Sequence, residues 1–293
     1  MARLLLPLEP TYPRALLSQP RPRPLTIVGE CDLNTRALRV AIVGAREADG
    51  RSTEDAAALA AVLARAGVIV VSGGALGVDS AAHKGALEAQ GVTWVIAPFG
   101  VDAMVFPQEN QALFARVPNE GGAMVHVPGA TAQARGNFKW RNRVMVRLVD
   151  AVVVVQAGAR SGSLNAAHEA LEINKPVWLA PASVATTGFE GSRELAQDRR
   201  VRPLFDAGEL LDALGLAAPR REAPARRPAP VHIEPSLDGD AMAIWRGLTE
   251  ARHRDDLVRV TGLSPSRVAN VLFELCIEGH VSEGLDGIVR RAR

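Results

Sequence analysis

The apolar positions of this chain fall in short continuous blocks and not in alternation. Residues 39–43 (RVAIV), 68–71 (VIVV), 93–97 (TWVIA), 123–127 (AMVHV), 151–155 (AVVVV) and 176–180 (PVWLA) each form such a block. A strand with one covered face alternates apolar and polar residues. A strand covered on both faces does not, so these blocks predict the interior of a parallel sheet lying between helices. Helices are predicted over residues 52–66, 80–90, 108–116, 164–173 and 206–214, with Gly67 and Gly91 as stops and Ser52 and Asp55 as a capping-box-like start. The repeating order of strand, glycine turn, helix and glycine stop predicts right-handed βαβ units. The expected fold class is α/β: a Rossmann-like, mainly parallel sheet with helices on both faces, over residues 38–216.

The flanking segments break this rhythm. Residues 1–37 form a proline-rich N-terminal extension with Pro7, Pro10, Pro13, Pro20, Pro22 and Pro24. Proline fixes φ and lacks a donor, so an extended arm is predicted, with an edge strand over 25–28 ended by Gly29. Residues 217–235 hold five prolines and four arginines and no apolar cluster that would offset the entropy of ordering; they are predicted to be a linker. Residues 236–293 regain helical spacing. Helices are predicted over 240–249, with Met242, Ile244, Trp245 and Leu248 as the apolar face, over 254–260 and over 264–278. Ser264 is the expected N-cap and Pro265 the first helical residue. A two-stranded wing over 281–289, turning at Asp286-Gly287, completes a small C-terminal winged-helix domain.

Bulk composition excludes more than it identifies. With 34 basic and 32 acidic side chains the net charge is +2, so a polyanionic partner has to be argued from local clustering. Cys31 and Cys276 are distant and form no CxxC, which argues against a disulfide framework or a zinc site and fits a reducing, cytoplasmic setting. The short apolar start is interrupted by Pro7 and Glu9 and does not make a signal-peptide core. No apolar run nears the roughly 18 residues that span a bilayer, so no membrane partner is expected. The chain has no GxxxxGK[ST], GxGxxG or GxSxG motif and no metal-spaced cluster, so neither a cofactor nor a metal is expected.

Local clustering is found in residues 136–164. Lys139, Arg143 and Arg147 are spaced four apart and share one stripe if the segment is helical, with Arg141 beside them. The buried block 151–155 follows, then the small-residue turn Gly158-Ala159-Arg160-Ser161-Gly162-Ser163 at a helix start. Free backbone N–H groups at such a turn form an anion site. A second turn of this kind is Ser72-Gly73-Gly74-Ala75-Leu76-Gly77-Val78-Asp79. The chemistry implied is that of a phosphate backbone or a nucleotide. With aromatic residues at 4%, base stacking falls to Phe138 and Trp140. Asp79 and His83, one helical turn apart, suit an acid/base pair, but an aspartate at a helix start also complements the helix dipole, and that reading is preferred.

As a set, Ile42-Val43-Gly44-Ala45-Arg46, Ser72 to His83, Phe138 to Arg143 and Arg160-Ser161-Gly162-Ser163-Leu164 resemble the DprA/Smf family of DNA-processing proteins over roughly residues 38–190. Tyr12-Pro13 and Gly29-Glu30 look like that family's approach to its sheet, and many members carry a winged helix. The resemblance implies a non-catalytic protein that binds single-stranded DNA, dimerises, protects incoming DNA and loads RecA recombinase during natural transformation. The DNA-binding residues it implies are Arg46, Ser72, Gly73, Gly74, Phe138, Lys139, Arg141, Asn142, Arg143, Arg160, Ser161, Gly162 and Ser163, with no catalytic residue. Leu76 departs from the family's SGxARG turn by replacing its arginine, a loss that Arg46, Lys139 or Arg160 would compensate. Residues 191–203 also depart from the pattern, and the approximately 37 residues before the sheet are too few for the helical N-terminal domain of many members. The alternative is a nucleotide hydrolase of the lysine-decarboxylase-like type, but the glutamate of its PGGxGTxxE hallmark has no counterpart at the matching turn. The predicted second helix of the winged unit has Arg267 as its only base alongside Glu274 and Glu278, which suits protein contact as well as DNA contact.

Overall fold

The computed structural model describes residues 2–19, 21–127, 135–181, 187–216, 237, 239–248, 252–278, 280–283 and 288–291. The linker predicted over 217–235, the loop predicted over 128–134 and the wing turn Asp286-Gly287 lie outside the described residues. The chain divides into two compact units, Met1–Arg221 and Glu222–Arg293.

The first unit contains β1 (Ala2–Leu5), α1 (Arg14–Leu17), β2 (Leu25–Gly29), β3 (Arg39–Val43), α2 (Gly50–Arg65), β4 (Ile69–Ser72), α3 (Val78–Glu88) and β5 (Thr93–Ala97). It continues with α4 (Gln111–Asn119), β6 (Ala123–His126), α5 (Arg135–Leu148), β7 (Ala151–Val154), α6 (Gly162–Glu172), β8 (Val177–Leu179), α7 (Glu190–Leu195), β9 (Val201–Pro203) and α8 (Ala207–Ala213). The nine strands form one sheet in the order β1-β2-β6-β5-β4-β3-β7-β8-β9. From β6 to β9 every neighbouring pair is parallel. β2 runs antiparallel to β6, and β1 antiparallel to β2.

The apolar blocks do what two-sided burial requires. Successive residues of a strand point to opposite faces. Ala41, Val43, Val152 and Val154 join the core that carries Trp140, Val144 and Leu148 of α5 and Leu164 of α6. Val40, Ile42, Ala151 and Val153 join the core on the other face, with Leu59 and Leu63 of α2, Ala82 of α3 and Leu211 of α8. The chain moves outward from β3 in one direction through β4, β5 and β6 and in the other through β7, β8 and β9. The order reverses between β3 and β7, and a crevice opens at the carboxyl ends of such a strand pair.

Three expectations are corrected. The proline-rich start is more than an extended arm: the strand expected over 25–28 forms as β2, β1 adds outside it as the edge, and Leu5, Tyr12, Leu16, Leu25 and Ile27 are fully buried in the core. Proline is tolerated there because it lies between the elements; the Tyr12 hydroxyl also donates to the Arg23 carbonyl at 2.7 Å. The cap of α2 is Asp49, whose carboxylate accepts the Ser52 amide at 2.7 Å, so Ser52 lies inside the helix and the helix starts earlier. Residues 191–203, without a role in the sequence pattern, supply most of α7 and the edge strand β9.

The second unit contains α9 (Gly239–Gly247), β10 (Arg252–His253), α10 (Arg254–Thr261), α11 (Pro265–Ile277), β11 (Val281–Glu283) and β12 (Ile288–Arg291). The three strands form an antiparallel sheet in the order β10-β12-β11. Ser264 caps α11 by accepting the Arg267 amide at 3.3 Å, and Gly262 ends α10 in the left-handed region. Ile244, Trp245, Leu257, Val268, Leu272 and Val289 make its own core. Arg290 and Arg291 belong to β12. Arg291 stacks on Trp245 at 4.4 Å and donates to its carbonyl at 2.5 Å.

Candidate nucleic-acid interface

The crevice at the strand-order reversal is a cleft of about 630 Å³. Four segments line it: residues 43–47 after β3, Ala75 and Asp79 at the start of α3, residues 138, 139, 141 and 142 on α5, and residues 158–166 after β7. A smaller slot of about 100 Å³ adjoins it, between Gly73, Gly74, Leu76, Pro98, Phe106, Pro107 and Phe138. The topology explains the gathering. Each glycine turn follows the carboxyl end of a parallel strand, so all of them open on one edge of the sheet.

The expected residues divide into three groups. Arg46, Lys139 and Arg160 are exposed at the cleft. Arg46 lies over the Phe138 ring at 5.4 Å, within cation–π range. Ser161 caps α6 by accepting the Ser163 amide at 3.4 Å and pairs with the Ser163 hydroxyl at 2.7 Å, leaving exposed Gly162 at the helix start. The positive end of α6 and three cations therefore face one volume, which favours an anion.

The second group is largely buried, with Arg141 and Asn142 still reaching the cleft wall. The Ser72 hydroxyl is fully buried and donates to the Ile42 carbonyl at 2.6 Å. Arg141 is 7% exposed and Asn142 8% exposed. The Asn142 amide donates to the Gly162 carbonyl at 3.2 Å. Gly73 has a steric cause: a Cβ there would sit 1.5 Å from the Arg141 guanidinium. Gly74 closes the turn with φ +74 against Phe114 and Val95. The third group is Arg143, which does not line the cleft. Its guanidinium meets Glu169 at 3.3 Å, and Arg147 pairs with the same carboxylate, so the stripe beyond Lys139 is tied to α6 and its charge is halved there.

Asp79 accepts the Ala75 amide at 3.3 Å and is 4% exposed. Burial pushes its carboxyl above the ordinary aspartate value, against the opposing pull of Arg141 and of the turn amides. Burial likewise pulls the Arg141 guanidinium below its usual range, while Asp79 supports its charge. His83 points away from the chemistry of the cleft. Its Nδ1 meets the Thr93 hydroxyl at 2.7 Å, and Thr93 donates onward to the Val70 carbonyl at 2.8 Å. The imidazole is neutral, its pKa lowered to about 3 by burial and then by Arg141.

Two contributors were not foreseen from sequence. Asn110 is buried and its amide donates to the Gly74 carbonyl at 2.9 Å and to the Ser80 hydroxyl at 2.7 Å, holding the glycine turn from outside. Leu76, Phe106 and Pro107 give the adjoining slot an apolar wall. Neither has a local signal: Asn110 reads as a helix start, and the slot joins loops thirty residues apart.

A Rossmann-like sheet with a cationic cleft at its switch point, on a chain that also carries a winged helix, defines a class of nucleic-acid-handling protein. The family profile described as DNA recombination-mediator protein A matches residues 3–215, and a profile for the DprA winged helix domain matches residues 225–287. The chain belongs to this DprA/Smf family of DNA-processing proteins. Among relatives, Protein Smf of Synechocystis is 29% identical over 96% of this chain and 78% of its own length. A Mycobacterium tuberculosis protein, described as a putative DNA processing protein DprA, is 37% identical over 59% of this chain and 45% of its own. Among solved structures, DNA processing protein A of Helicobacter pylori, studied for its single-stranded DNA binding mode, has a TM-score of 0.64 at 28% identity, covering 73% of this chain and 95% of that one. DprA of Streptococcus pneumoniae has a TM-score of 0.65 at 26% identity, covering 72% and 73%. Among the described residues, no helix is long and apolar enough to cross a membrane.

Proposed function

We propose that this protein is a non-catalytic, cytoplasmic binder of single-stranded DNA that protects incoming strands and helps load RecA recombinase during natural transformation, acting as a homodimer. The observation that carries the reading is the convergence of Arg46, Lys139, Arg160 and the Ser161-capped start of α6 on one cleft. Phosphates would meet the cations and the α6 amides. A base on the Phe138 ring would add about 1–3 kcal/mol. The structural neighbour from H. pylori, studied for single-stranded DNA binding, supports the same reading. The nucleotide-hydrolase alternative needs a free carboxylate at the turn after β7. Among the described residues lining the cleft the carboxylates are Glu47 and Asp79, of which Asp79 is committed to the Ala75 amide, and Glu190, beside Gly158, accepts the Gly188 amide.

The test is fluorescence anisotropy of a labelled oligonucleotide, single-stranded and then duplex, across a salt series. Tighter single-strand binding is expected, with a log–log salt slope near −2 to −3.5, as about three to five phosphate contacts produce. An absence of single-strand binding at low salt overturns the reading. RecA loading is tested by strand-exchange rates on protein-coated DNA, which should rise with added protein.

A further inference from the structure

Sequence alone casts Arg141-Asn142-Arg143 as phosphate contacts. In the fold each member is bound to another part of the protein. Arg143 meets Glu169 of α6, and Asn142 donates to the Gly162 carbonyl. Arg141 reaches under the other turn, where its guanidinium fills the space that Gly73 leaves open. Its electrostatic partner there is Asp79, which in turn takes the Ala75 amide.

Resting on the single-stranded-DNA reading, we propose that Arg141 is a positioning residue: with Asp79 it sets the Gly73–Ala75 turn against α5, and it acts on DNA through that turn, without touching phosphate. Four observations converge. Arg141 is 7% exposed, its Nε is enclosed without a partner, and its guanidinium packs into the space beside Gly73 where the cleft meets the slot. Asp79 is equally buried and accepts the Ala75 amide, and the Arg141 charge opposes the effect of burial on its carboxyl. The cleft has exposed cations for phosphates in Arg46, Lys139 and Arg160. α5 also carries Phe138 and Lys139 on the cleft, so fixing α5 to both glycine turns fixes the base-stacking ring and a phosphate cation relative to the backbone donors.

The experiment uses the full chain and a labelled oligo-dT, titrated across salt by anisotropy, with circular dichroism to follow folding. The variants are D79N, R141M, the charge-free pair D79N/R141M, and K139A as a phosphate-contact reference. K139A should weaken binding and lower the magnitude of the salt slope by about 0.7. D79N and R141M should weaken binding at least fivefold while keeping the parent's slope, because no phosphate contact is removed. D79N decides by sign. Deleting a negative charge beneath an anion site tightens binding on Coulomb grounds alone, whereas loosening the turn weakens it. The double variant keeps the test intact if a lone buried charge unfolds either single variant, and it too should bind at least fivefold more weakly with the parental slope. D79N binding as tightly as the parent or tighter overturns the proposal, as does an R141M slope reduced like that of K139A. No binding by the parent overturns the DNA reading and this one with it, whereas parental binding with D79N unaffected overturns this one alone.

Discussion

At the scale of single residues, the cleft separates groups that face a ligand from groups that hold those in place. Gly162 is the clearest of the first kind. A Cβ added there meets nothing within 4 Å, so the chain itself does not require glycine. Gly162→Ala is expected to leave the melting temperature unchanged or slightly raised, since alanine suits a helix start better than glycine. Single-strand affinity is expected to fall several-fold, because a phosphate close to the α6 amides would meet the new methyl. Anisotropy and a thermal melt on the same sample check both halves. His83 is of the second kind. Thr93 spends its proton on Val70, so the imidazole donates from Nδ1 and leaves Nε2 bare inside the protein. Its pKa of about 3 in the folded chain lies below the ordinary 6.5. Between these values the unfolded chain binds the extra proton, so this contribution to stability is present above about pH 6.5 and fades as pH falls toward 3. Asp79, with its pKa raised, works in the opposite sense: its contribution is full below 3.8 and is lost as pH rises through the folded value. Comparing His83→Gln with the parent isolates the histidine, and the variant's melting temperature should fall less steeply between pH 6.5 and 4.

At the scale of elements, the sheet shows which sequence signals suffice. Blocks such as residues 151–155 are apolar throughout because both faces of β7 are covered, and that pattern is readable without coordinates. β1 carries no such block: it pairs through its backbone and buries only Leu5, so its membership in the sheet depends on the exposed edge of β2. α1 has four residues, yet Leu16 is fully buried on the α5 side of the sheet. Leu16→Ala is therefore expected to cost about 2–5 kcal/mol, the range for an emptied core site. At roughly 2–4 °C per kcal/mol in a unit of this size, calorimetry should show a fall of at least about 4 °C. A shift below 1 °C would mean that the N-terminal segment adds no packing to the core.

At the scale of the whole molecule, the chain holds two units with separate cores, and the cleft is built wholly within the first. Removing residues 222–293 should leave single-strand affinity within about threefold of the parent. A larger loss, with the salt slope reduced, would assign phosphate contacts to the winged unit. The α11 helix, with Arg267 tied to Asp240 at 2.6 Å, offers few free cations for such contacts.

Patterns along one chain were enough to establish the class of fold, the strand–turn–helix order and the winged unit, because burial and backbone geometry impose a local periodicity and a local residue chemistry. The family resemblance, added to those patterns, named Arg46, Phe138, Lys139, Arg160, Ser161 and Gly162 together, and the fold places all six along one cleft. Folding in three dimensions alone determined which polar groups reach the cleft. A helix spacing says that Arg141 and Arg143 lie on α5, but only the tertiary fold lays the Gly73 turn against the Arg141 guanidinium and packs α6 so that Glu169 meets Arg143. Direction and burial depend on neighbours distant in sequence, and charge near an opposite charge is spent on the fold before it is offered to a ligand.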